Sequence, residues 1–214
     1  MRFKKNRLVL SVVSAAWMLI IGLGIGLLWN YESSPGLAAA APNEWPVDSH
    51  IQRATNCATL IMLAHPHCPC TRASIAELSR LMTQAQGRLA AYVLFVKPAE
   101  VAYGWEKTDL MASAAAIPGV TVVRDDEGFE ANRFHALTSG QTMLYDAAGR
   151  LLFSGGITST RGHEGDNAGR AAIVSLLTTT EKVQSETPVF GCPLFAQKSE
   201  CPMGKEVRDA NAAH

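Results

Sequence analysis

Residues Cys57–Leu81 read CATLIMLAHPHCPCTRASIAELSRL, and the stretch changes character twice. Ala58–Ala64 is a short apolar run bounded by turn residues, the pattern of a strand buried on both faces. His65-Pro66-His67-Cys68-Pro69-Cys70 interrupts it with two prolines. From Thr71 to Gln86, Ile75, Leu78, Leu81 and Met82 recur at helical spacing, and Gly87 stops the helix. The unit is a strand that enters a helix through a turn carrying two cysteines.

Downstream the alternation continues. Leu89–Val96 reads as a second buried strand, ended by Lys97-Pro98. Trp105–Ile117 predicts a helix, with Leu110, Met111, Ala114 and Ile117 in phase and Pro118-Gly119 after it. Val120–Val123 is a third strand and Phe129–His135 a short helix. Thr142–Tyr145 and Arg150–Ser154 form a hairpin across Asp146-Ala147-Ala148-Gly149. A glycine-rich loop from Gly155 to Gly165 leads to a helix over Ala168–Leu177, capped by Asp166 or Asn167. The order βαβαβαββα predicts an α/β fold: a parallel sheet with helices on both faces and the hairpin as an antiparallel edge.

Upstream, residues 1–7 hold Arg2, Lys4, Lys5 and Arg7 and no acid. Leu8–Trp29 is 22 residues without a charge. As a helix it spans about 33 Å, enough for the hydrocarbon core of a bilayer. The basic cluster stays cytoplasmic, which places the remainder of the chain outside. The apolar run exceeds a signal-peptide core, and the Ala38–Ala41 run lies far past its end, so the segment reads as an uncleaved anchor. The organisation predicted is a basic tail over 1–7, a transmembrane anchor over 8–29 and a Pro/Gly/Ala linker over 30–46. A globular domain over 47–180 comes next, then a tail over 181–214 with Cys192 and Cys201. The location predicted is the cell membrane, single-pass, with the domain in an oxidising extracytoplasmic (periplasmic) space.

Composition narrows the function. The 214 residues, 48% hydrophobic, suffice for one domain whose core needs neither disulfides nor a metal. The 19 basic and 19 acidic residues exclude a general nucleic-acid binder. Five cysteines are too few for a disulfide scaffold. Gly155, Gly156, Gly162, Gly165 and Gly169 have neither dinucleotide-binding nor P-loop spacing.

The cysteine turn is where chemistry is expected. A helix N-terminus offers unpaired N–H groups and partial positive charge, which stabilise a thiolate and lower its pKa. Cys68 would be the attacking thiolate and Cys70 its resolving partner. A disulfide across one intervening residue is strained, and strained disulfides are more oxidising. His67 and His65 would add positive character or shuttle a proton. Soft ligands are dense here, so the alternative is a copper carrier using Cys68, Cys70, His163 and Cys192. Cys192 and Cys201 could pair as a tail staple, or Cys192 could fold back as a third redox cysteine. Cys57 reads as a small buried hydrophobe.

These residues carry a resemblance. Cys57–Leu81 resembles the active-site segment of thioredoxin-like proteins, and of the membrane-tethered redoxins of the TlpA and ResA type in particular. The HPHCPC turn, LLFSGGIT, RGHEGDN and Gly191-Cys192-Pro193-Leu194-Phe195 are similar to segments of the extracytoplasmic RedB proteins. The resemblance covers about Trp45–Phe195. It implies a thioredoxin-like mixed sheet flanked by helices, a thiol–disulfide oxidoreductase, a thiol/disulfide protein partner and an external electron donor, with no cofactor. Two departures stand out. Thr71 takes the place of the family's second cysteine, and Gln141 stands where a cis-proline is usual. His65 lies where peroxiredoxins have threonine, which argues against a peroxidase. A non-catalytic, redoxin-like binding protein is the third expectation.

Overall fold

The structure, a computed structural model, describes residues 2–37, 39–85, 87–179 and 184–195. Helix α1 (Arg2–Ser33) is long and apolar enough to cross a membrane, and no part of its apolar window Val9–Ser33 is buried. The domain follows as β1 (Ala58–Ala64), α2 (Pro69–Ala85), β2 (Leu89–Lys97), α3 (Asp109–Ala115) and β3 (Val120–Asp126). Then come α4 (Phe129–Arg133), β4 (Thr142–Tyr145), β5 (Leu151–Gly155) and α5 (Ala168–Thr178).

The five strands lie in the order β3-β2-β1-β4-β5. β1, β2 and β3 pair in parallel; β4 runs antiparallel to β1, and β5 to β4. β1 is central, which is why its sequence is apolar without alternation. Leu60, Met62 and Ala64 join one core with Leu78 and Leu81 of α2, Leu110 of α3 and Ile173 of α5. Ile61 and Leu63 point the other way, to Phe134, Met143 and Tyr145. Each leucine, isoleucine, methionine or phenylalanine among them, fully removed from water, contributes roughly 1.5–3 kcal/mol.

The second face departs from expectation. Its cover is not a layer of helices but the five-residue α4 and irregular chain bearing Ala41, Trp45, Ile51 and Leu194. Of the segment 30–46 expected as a linker, residues 34–37 and 39–46 lie against the domain. Gly36 N–H donates to Val189 O (2.8 Å), Leu151 N–H to Asn43 O (2.8 Å), and Trp45 N–H to Gly149 O (2.7 Å). The Trp45 ring meets Phe134 and Tyr145 edge-on, each at 5.2 Å between centroids. Such a strap needs no amphipathic period, because its contacts come one residue at a time. Likewise α1 runs past Trp29 to Ser33.

α3 is shorter than its apolar pattern suggests. The chain from Trp105 to Thr108 turns about Gly104 (φ +86°), and the helix starts only at Asp109. α5 begins as predicted, with the Asn167 side chain accepting from Arg170 N–H (2.7 Å). α2 is tied to the glycine-rich loop by Glu77, whose side chain is fully buried. That carboxylate accepts from Gly165 N–H (2.8 Å) and Asn167 Nδ2 (3.1 Å) and pairs with Arg170 (2.8 Å) and with Arg80.

Candidate functional site

The cysteine turn lies at the C-terminal end of the central strand, where β1 hands over to α2. Pro69 is the first residue of α2, where its missing N–H costs nothing. Cys68 therefore sits just before the helix, 1% exposed, and Cys70 in its first turn, 8% exposed. Thr71 N–H donates to Cys68 O (3.0 Å) and closes the turn.

Thr71, standing in place of a second cysteine, has a structural task. Its hydroxyl donates to His65 O (3.2 Å) and bonds the Ser139 hydroxyl (2.7 Å). Ser139 Oγ in turn accepts from His65 N–H (2.8 Å). The loop Thr138–Gln141 is thus fastened to the turn. It is also fastened to the strand: Gly140 N–H donates to Leu63 O (2.7 Å) and Leu63 N–H to Gln141 O (2.9 Å). No cis peptide occurs among the described residues. Gly140 makes the bend instead, at φ +88°, and a Cβ there would come within 2.8 Å of Ser74 Oγ.

On the far side of that loop lies the C-terminal segment. Ser139 N–H donates to Cys192 O (2.8 Å) and Leu194 N–H to Leu137 O (2.9 Å). Val189 and Leu194 are both 2% exposed and anchor the segment's ends. Gly191 passes so close to the loop that a Cβ would lie 1.9 Å from Ser139 O. This docking brings the half-buried Cys192 to Cys68, with the two Sγ atoms 2.9 Å apart. Of the sulfur arrangements open from the sequence, the structure shows the folded-back Cys192. The tail staple with Cys201 falls outside the described residues.

The three thiols have different acidities. Cys68 is drawn down to about 4, first by the S–H of Cys70, then by the S–H of Cys192 and the amides of Cys192 and Thr71, against burial. Cys70 is pushed far up by the bond it gives to Cys68 and by burial. Cys192 is pushed up to about 11 by burial and by its bond to Cys68, while the charge of Arg161 pulls the other way. The thiolate is therefore held chiefly by neighbouring donors at the mouth of α2.

The histidines divide. His65 is half-buried, and burial holds its pKa below the ordinary value, with Cys68 pulling the other way. Its Nδ1 accepts from His67 N–H (3.2 Å). His67 is exposed, with Nε2 2.9 Å from Trp105 O, and the Trp105 ring lies 4.5 Å from its own. Cys57 is half-buried, not fully buried, because it precedes the first covered residue of β1. His163 is exposed in the glycine-rich loop. Among the described residues no three His, Cys, Asp or Glu side chains are arranged to hold a metal ion.

Arg161 is the residue that sequence reasoning passed over. Its guanidinium donates to Gly191 O, beside Cys192. Its Nε and backbone N–H donate to Tyr31 O and Glu32 O at the end of α1 (both 3.1 Å), and it lies over the Tyr31 ring at 5.0 Å. Its only signal was its place in RGHEGDN.

No protein-family model matches the chain, and no curated protein matches it in sequence. Solved structures do. A hypothetical protein from Sinorhizobium meliloti 1021 aligns with a TM-score of 0.58 at 18% identity, over 75% of this chain and 97% of its own. An uncharacterized conserved protein from Geobacillus kaustophilus aligns at 0.54 and 21% identity, over 78% of this chain and 94% of its own. At such identities the likeness is one of fold. The sheet order, the antiparallel closing hairpin and the cysteine turn after the central strand settle which fold it is. The fold is thioredoxin-like. A secreted disulfide oxidoreductase from Mycobacterium tuberculosis also aligns, at a TM-score of 0.40 and 12% identity, over 57% of this chain and 81% of its own.

Proposed function

We propose that this chain is a thiol–disulfide oxidoreductase, anchored by α1 with its domain extracytoplasmic, as in the tethered redoxins and RedB proteins that its motifs resemble. The observation that supports it is the Cys68 sulfur at the mouth of α2, 2.9 Å from the sulfur of Cys192 and held low in pKa by the neighbouring thiols. A thiolate at neutral pH is the nucleophile of disulfide exchange. In this reading Cys68 attacks a disulfide of a partner protein, and the Cys68-Pro69-Cys70 turn is the centre of the exchange. His67 and His65 border the turn and His67 faces solvent. A dithiol relays only two electrons, so an external thiol donor restores the reduced state.

The test is alkylation of the reduced protein across pH, with each cysteine followed by mass. Cys68 should react with iodoacetamide at about pH 6, well below the range of a free thiol, while Cys70 and Cys192 stay protected. Titration against glutathione should show a reversible two-electron couple that Cys68→Ser abolishes. A Cys68 that alkylates only in the range of a free thiol, with no reversible couple, would overturn the reading.

A further inference from the structure

We propose that Cys192 is the resolving cysteine of this site, and that the disulfide formed in the catalytic cycle joins Cys68 to Cys192 across the Thr138–Gln141 loop. The proposal rests on the oxidoreductase reading and assigns the second thiol within it.

The geometry separates the two thiols beside Cys68. Cys70 is close in sequence, but a bond to it must close around the single residue Pro69, across the start of a helix. Pro69 has its φ fixed, and the Thr71 N–H bond to Cys68 O already holds the turn. The Cys70 thiol reaches Cys68, but a disulfide closed around one residue departs from the favoured geometry and is strained. Cys192 meets no such obstacle. It arrives from a separate segment, with its Sγ 2.9 Å from that of Cys68. The required movement is a closing of the two sulfurs.

That segment is built to hold a thiol at this spot. Two backbone hydrogen bonds fix it to the loop, and Val189 and Leu194 are buried on either side. Gly191 is there because no side chain fits against Ser139 O. Arg161 holds Gly191 O and sets a cation near the thiol, which favours loss of its proton. Of the two candidate resolving thiols, Cys192 is also the less strongly raised in pKa. A resolving thiol must ionise once Cys68 has been consumed.

The exchange balances. The Cys68 thiolate attacks one sulfur of a partner disulfide; that S–S bond breaks, and the departing partner thiolate takes up a proton. A mixed disulfide between Cys68 and the partner remains. Cys192, as thiolate, attacks the Cys68 sulfur and displaces the second partner thiolate, which also takes up a proton. The partner disulfide is reduced to two thiols, and Cys68 and Cys192 are oxidised to one disulfide. A dithiol donor returns both to thiols by the reverse sequence.

Trypsin makes the assignment easy to read in the full chain. Cys68 and Cys70 fall in one peptide, 54–72, whereas Cys192 falls in 183–198. Protein oxidised with glutathione disulfide and quenched with alkylating agent should yield these two peptides joined, with fragmentation placing the bond on Cys68. Cys70→Ser should keep that bond and the reversible couple. Cys192→Ser should lose both and hold glutathione on Cys68, with mixed-disulfide decay slowed at least about tenfold. A bond within 54–72, kept in Cys192→Ser and lost in Cys70→Ser, would overturn the proposal and leave the oxidoreductase reading standing. An inert Cys68 in the wild type would overturn both. The wild-type peptide map needs no variant, so it decides the matter even if a substitution misfolds.

Discussion

Cys68 and Cys192 are held by two unlike pieces of chain. The Cys68 side is regular: the end of the central strand, a proline-started helix and a buried ion cluster behind it. The Cys192 side has no regular element; backbone hydrogen bonds to one loop and two buried side chains hold it. The difference teaches that a reactive geometry can be half local and half long-range. The local half follows from strand, turn and helix propensities. The distant half exists only once the sheet has formed the Thr138–Gln141 loop against which it docks.

The two sides should respond to different substitutions. Glu77→Ala strikes the regular side, because it leaves Arg170, with 14% of its side chain exposed, without its buried carboxylate partner. Unpairing a buried charge costs about 3–5 kcal/mol. Urea unfolding should show a loss of that size, while the molecules that remain folded keep the Cys68–Cys192 juxtaposition. An unchanged unfolding midpoint would mean that the cluster does not support α2.

Gly191→Ala strikes the irregular side. The added carbon meets Ser139 O at 1.9 Å, so the segment must shift. The expected stability loss is smaller, about 1–3 kcal/mol, as for overpacking. The effect on the sulfurs should be the larger one: mapped crosslinking between peptides 54–72 and 183–198 should fall sharply. Full crosslinking in this variant would show that Gly191 does not position Cys192.

Thr71→Val cuts the bridge between the sides. It keeps the shape but removes the hydroxyl bonded to Ser139 and to His65 O. A net loss of about 1 kcal/mol is expected in urea unfolding. Both the low-pH alkylation of Cys68 and the crosslink to Cys192 should weaken together. If only one of them changes, the loop and the turn are positioned independently.

The same division explains what was legible in the sequence. Strands β1, β2, β4 and β5 announced themselves by apolar runs and by the Asp146–Gly149 turn, and α5 by its Asn167 cap. α2 was readable from its period even though Glu77 interrupts no part of it and lies wholly buried. Cys68 and Cys70 stood out because their placing before a helix is a local fact. Trp45 could not be placed from composition, since its partners Phe134 and Tyr145 are distant in sequence. Ser139 was invisible for the same reason, and Arg161 showed only as the first residue of RGHEGDN. The role of Cys192 was only one of several open pairings, because a lone thiol in a polar tail has no periodicity to read.

The separation of the two sulfurs has a consequence for the unfolded chain. Cys68 and Cys192 are 124 residues apart. A bond between them would tie most of the domain into one loop, and in the chain-entropy picture a loop of such length is worth roughly 5 kcal/mol. In the same picture a bond across Pro69 would be worth only about 1.6 kcal/mol. Folding and bonding would then be linked: whatever the bond adds to the stability of the fold, the fold returns to the bond. The reduced protein should be the looser of the two, and each turnover would release and regain conformational freedom along nearly the whole domain.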